Sequence, residues 1–119
     1  MGLDTSHNCW HGGYGRFNRF RYSLAEQIGI NLDDYIGYHE NAKKNLSEIN
    51  HDLQPLFDHS DCDGNLDVDD CIKIVRGLNQ VLKNFNDKIE ADSDFKERII
   101  QFRDGCIDAI SKNESVEFR

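Results

Sequence analysis

Residues 57–70 read FDHSDCDGNLDVDD, with five aspartates in the ten residues from Asp61 to Asp70 and one glycine, Gly64, among them. Carboxylates this close repel one another unless something positive or well hydrated lies between them. Counting from Gly64, oxygen-bearing side chains fall at Asp61 and Asp63 before it and at Asn65, Asp67 and Asp70 after it. Hard divalent cations take ligands of this kind, and glycine suits the place where the backbone must turn back between them.

The spacing is that of an EF-hand-like loop, in which ligands stand at positions 1, 3, 5, 7, 9 and 12 and glycine at 6. With Gly64 at 6, Asp61 falls at 3, Asp63 at 5, Asn65 at 7 through its carbonyl, Asp67 at 9 and Asp70 at 12, while Leu66 supplies the apolar residue of position 8. Position 1 is then His59, a nitrogen ligand poorly matched to a hard cation, and Asp58 stands one residue too early. An inserted residue would reconcile this, with Asp58 as first ligand. Asp70 is shorter than the usual glutamate, which favours weaker calcium binding or magnesium. The predicted metal site is therefore Asp58, His59, Asp61, Asp63, Asn65, Asp67 and Asp70, holding Ca2+ or Mg2+. The plainer alternative is a polar turn in which Asp61 and Asp63 form Asx-turns and Asp67 caps the next helix. A hydrolytic metal site on His59 and these carboxylates is a third reading.

The loop occurs once, and no internal repeat is visible. EF-hand-like units pair across a short two-stranded ribbon, so this one needs a partner, which a homodimer would provide.

On either side of the loop the apolar residues keep helical spacing. Leu46, Ile49, Leu53 and Phe57 predict a helix that Pro55 kinks or shortens, and Cys71, Ile74, Val75, Leu78, Leu82 and Phe85 predict a long one capped by Asp67. Residues 46–86 thus read as a helix-loop-helix. Earlier, Phe17, Phe20, Leu24 and Ile28 predict a helix ended by Gly29, and Asn31 caps a short, weak one. Later, Ser93 is the expected cap of a helix with Phe95, Ile99, Phe102, Cys106, Ile107 and Ile110 inward, followed by an extended tail, Ser115 to Arg119. The first fifteen residues, rich in Gly and His, read as a loop. The expected fold is mainly α: a small single-domain helical bundle over residues 1–119, with a loop-rich N-terminus.

The 119 residues carry a net charge of -8, which disfavours direct nucleic-acid and anionic-membrane binding, because both require a positive field. No apolar run is long enough to span a bilayer and the opening lacks a signal-peptide stretch, so the cytoplasm is the expected location. The four cysteines are expected as free thiols.

The one basic cluster lies near the start. Gly12, Gly13 and Gly15 precede a predicted helix that carries Arg16 and Arg19, with Arg21 nearby. Backbone N–H groups there suit an anion, and Trp10 and Tyr14 would offer stacking faces for a base. His7 and His11 flank Cys9 at alternating positions. The candidate ligand-binding residues are therefore His7, Trp10, His11, Tyr14, Arg16 and Arg19, for an anionic small molecule such as a nucleotide. The alternative is that the arginines pair with the abundant carboxylates.

With GLDTSHNCWHG at residues 2–12, FNRFR at 17–21, HSDCDG at 59–64 and FRDGC at 102–106, the chain resembles a family of small accessory proteins of phage and prophage genomes. The resemblance implies an anti-defence context in the host cytoplasm: capture of a nucleotide immune signal, or inhibition of a host defence protein by an acidic face. A non-enzymatic, cation-holding binding protein is the expectation, with a metal-dependent hydrolase and an acidic inhibitor as its alternatives.

Overall fold

The computed structural model describes residues 2–119. The chain is mainly α-helical, and among the described residues no helix is long and apolar enough to cross a membrane.

The N-terminal segment, expected as a loop, is a ribbon. Strand β1 (Gly2–Asp4) pairs antiparallel with β2 (His11–Gly13), Leu3 opposite Gly12. The turn between them places His7 and Asn8 at φ 59 and 58, in the left-handed region where few non-glycine residues sit. It is held from outside: His7 Nδ1 lies 2.7 Å from Asp108 Oδ2, and Gln101 Nε2 donates to the Asn8 carbonyl. Glycine-rich strands carry little local signal, so pairing came from these distant contacts rather than from pattern.

Helix α1 (Tyr14–Gln27) buries Phe17, Phe20, Arg21, Leu24 and Ala25, one stripe at spacings of three and four, and Gly29 follows it at φ 77. The helix expected from residue 46 to 57 is broken. Leu46–Glu48 forms a single 3-10 turn, with the Glu48 carboxylate accepting from the Asn45 N–H at 2.6 Å, and α2 (Gln54–Phe57) is one turn long. Pro55 sits in the first turn of α2, where its missing N–H costs nothing, so it starts the helix and does not kink a longer one.

Strand β3 (Asn65–Leu66) leads into α3 (Val68–Lys83), capped by Asp67 Oδ1 on the Asp70 N–H at 2.8 Å. Helix α4 (Phe95–Ser111) follows Asp94, one residue later than the expected Ser93 cap. It packs on α3 and buries Ile99, Phe102, Cys106 and Ala109, with Phe102 stacked on Phe17 and Phe20 of α1, and Ile107 is turned out to 45% exposure, against the sequence expectation. Strand β4 (Val116–Glu117) completes the chain.

One apolar core joins these elements. Phe17 joins its aromatic part: its ring lies 5.1 Å from Trp10 and 5.8 Å from Phe118, and Trp10 in turn lies 5.2 Å from Phe20. The N-terminal segment reaches α4 at Gly105. A Cβ there would stand 2.5 Å from Cys9 Sγ and 2.7 Å from the His7 carbonyl oxygen.

Two outcomes follow from this packing. Gly105→Ala should destabilise the protein by about 1–3 kcal/mol despite alanine's better helix propensity, because Cys9 and the His7 backbone must move; thermal unfolding measures it. Bonding to His7, then to Lys112, holds the Asp108 carboxyl below its ordinary value. A depressed folded-state pKa stabilises above the unfolded value and is lost as pH falls through the folded one. Acid unfolding below about pH 4 should therefore be less steep in Asp108→Asn than in the parent, read by denaturant midpoints across pH.

Candidate functional site

Three residues of the acidic segment have defined backbone roles. Gly64, the sixth residue, has φ 89, a conformation in which a Cβ would be strained. Leu66, the eighth, is buried in β3 and pairs with Val116 of β4, so the ribbon partner sought in a second copy is supplied by the chain's own tail. Asp67, the ninth, caps α3.

The side chains are arranged differently. His59 lies across the loop, Nδ1 2.7 Å from the Ser60 carbonyl oxygen and Nε2 3.0 Å from that of Asn65. Its ring packs on Phe118 at 4.1 Å between centroids. The seventh-position carbonyl is thus engaged by imidazole. Asp58 Oδ2 accepts from Gln54 Nε2, and Asp63 is exposed. Burial, then the charge of Asp67, pushes the Asp70 carboxyl up, and two carboxylates so placed gain from any added cation. Among the described residues no three His, Cys, Asp or Glu side chains converge as metal ligands would.

Beneath the loop stands Arg21, a residue whose importance the sequence did not disclose. It is 5% exposed, and Nη1 donates to the His59 carbonyl at 2.6 Å while Nη2 donates to Asn18 Oδ1 at 2.9 Å. Its guanidinium lies over the Phe17 ring at 4.8 Å and the Tyr38 ring at 5.2 Å. Burial pulls its pKa down, opposed by Tyr38 and Asp61. Tyr38 donates its hydroxyl to the Phe57 carbonyl at 2.7 Å, and burial pushes that phenol up to about 12. The only hint in the sequence was Arg21's place on the apolar stripe of α1, four residues from Phe17.

The six N-terminal ligand candidates are dispersed. Trp10 is 2% exposed, its ring faces taken by Phe17, Phe20 and Arg98, and so offers no stacking platform. Tyr14 packs against the core. Arg16 pairs with Asp94 at 2.8 Å and Arg19 meets Asp92 at 3.5 Å, the carboxylate pairing weighed above. His7 lies between Asp108 and Glu114, while exposed His11 bonds to Asp4. The slot among Trp10, Arg16 and Arg98 holds about 10 Å³, room for a water and not for a nucleotide.

The chain matches no protein-family model, no curated protein and no solved structure with which it was compared.

Because Phe118 packs on both Phe17 and His59, Phe118→Ala should cost about 3–5 kcal/mol in denaturant unfolding. It should also displace the His59 ring resonances in NMR spectra, whereas Phe85→Ala, at the other end of the core, should leave them in place.

Proposed function

We propose that this protein is a non-enzymatic binding protein whose Asp58–Asp70 loop holds a divalent cation, calcium or magnesium. The reading is carried by one observation: Gly64 left-handed, Leu66 in a ribbon and Asp67 as helix cap fall at the sixth, eighth and ninth places of one loop. A polar turn needs the first and last of these, but has no need of the ribbon.

In this reading the cation enters by displacing His59 from the Asn65 carbonyl, and Asp58, Asp61 and Asp63 turn inward around it. That rearrangement, with nitrogen at the first place and the short Asp70 at the last, puts affinity in the weak range, about 0.1–1 mM. The basic residues Arg16 and Arg19 contribute to structure through Asp94 and Asp92, and a nucleotide at Trp10 is not part of the proposal. In the phage setting that the resemblance implies, such a module acts by binding and not by turnover.

Calorimetric titration of chelator-stripped protein tests it. Calcium should give a saturable heat and raise the unfolding temperature. Asp61→Asn with Asp63→Asn should abolish both, and His59→Asp, which restores an oxygen at the first place, should tighten binding about tenfold. Absence of heat with calcium and magnesium up to about 20 mM would overturn the proposal.

An acidic interaction protein is the second reading, favoured by Ile100 and Ile107, seven residues apart on one face of α4 and 39% and 45% exposed. It expects partner capture that ignores chelators and is lost in Ile100→Asp with Ile107→Asp, while the unfolding temperature stays within a few degrees of the parent's.

A further inference from the structure

Arg21 is the one charged residue among the described residues that is buried. Its hydrogen-bond partners are a carbonyl and an amide oxygen, and Nε has none. A buried cation is normally matched by a carboxylate, because the Coulomb gain must offset lost hydration. The Phe17 and Tyr38 rings supply part of that compensation through their faces. No carboxylate among the described residues forms an ion pair with the guanidinium; burial lowers its pKa, opposed by Tyr38 and then by Asp61.

The same arginine lines a cavity of about 280 Å³ between α1, the Gly37–Tyr38 turn and the start of the acidic loop. The size is at the small end of pockets that take metabolites. Three kinds of surface meet there. Arg21 and Asn18 provide hydrogen-bond donors, Asp58 and Asp61 provide carboxylates, and Leu46 and Phe57 provide an apolar wall. An anion alone would be drawn to Arg21 and repelled by the two aspartates, and a cation alone would meet the reverse. A molecule with both charges a few ångströms apart satisfies each end, and neutralises the arginine where the protein itself does not.

We propose that this cavity binds a small zwitterion of the α-amino-acid class, its carboxylate on Arg21, its ammonium toward Asp61 and Asp58, and an apolar side chain against Leu46 and Phe57. The site shares Asp58 and Asp61 with the cation reading, so it is tested with the cation withheld, chelator being present throughout. At the strongest rival place for a charged ligand, Arg16 and Arg98 both bond Asp94 and the space among them is only about 10 Å³.

The test is titration of isotope-labelled protein with L-leucine and L-phenylalanine, followed by amide and arginine side-chain NMR. At least one should shift Gly37, Ser60, Asp61 and the Arg21 guanidinium saturably at millimolar concentration. N-acetyl-leucine and leucinamide, each missing one charge, should bind at least about tenfold more weakly. Asp61→Asn should weaken leucine by a similar factor and leave the unfolding temperature near the parent's; this variant is informative even if Arg21→Gln fails to fold. No shift with either amino acid at about 20 mM overturns the proposal, and so does equal affinity for the singly charged analogues.

Discussion

The extended tail ties the acidic loop to the N-terminal ribbon. β4 lies against β3, with Leu66 opposite Val116 and Asn65 opposite Glu117, and the Phe118 N–H donates to the Gly64 carbonyl at 2.9 Å. On its other side the tail exchanges two backbone bonds between Asp4 and Arg119. Backbone groups in a tight acidic loop must be paired or hydrated, and a loop with no second copy in the chain has no obvious partner. The tail provides one, and so ties the loop to the N-terminal ribbon and both to α4. Val116 and Phe118, at 0% and 5% exposure, anchor it in the core.

The distribution of charge follows from that closure. Arg16, Arg19 and Arg98 lie near Asp92 and Asp94 at the surface, where ion pairs contribute little and water screens them. Arg21 is different because the loop, folded over α1, excludes water from it. Its bond to the His59 carbonyl holds the loop's first residue in position, so the only buried charge in the described structure supports its most acidic segment.

Cysteine serves packing in the same scheme. Cys9, Cys71 and Cys106 are fully buried, brought together from the N-terminal ribbon, α3 and α4. Hydrogen bonding with Cys71, then with Cys9, and burial hold the Cys106 thiol far above its ordinary pKa, so it stays neutral and behaves as a small apolar group. Gly105 makes the room that Cys9 needs.

The sequence by itself determined α1, α3 and α4, because apolar residues at three- and four-residue spacing bury one face whatever lies opposite. It determined the turn at Gly64, the cap at Asp67 and the extended tail as well, all local consequences of side-chain size and hydrogen bonding. Tertiary structure alone decided the rest. Two glycine-rich strands became a ribbon because Asp108 and Gln101 hold the turn between them, and a helix expected at 46–57 was cut to one turn. The segment at β4 became the strand partner of β3. Trp10, Arg16 and Arg19, neighbours in sequence, were sent to the core and to separate aspartates, while Arg21 was brought beneath residues forty positions away. Periodicity reports which residues must leave water, but not which distant groups they meet when they do.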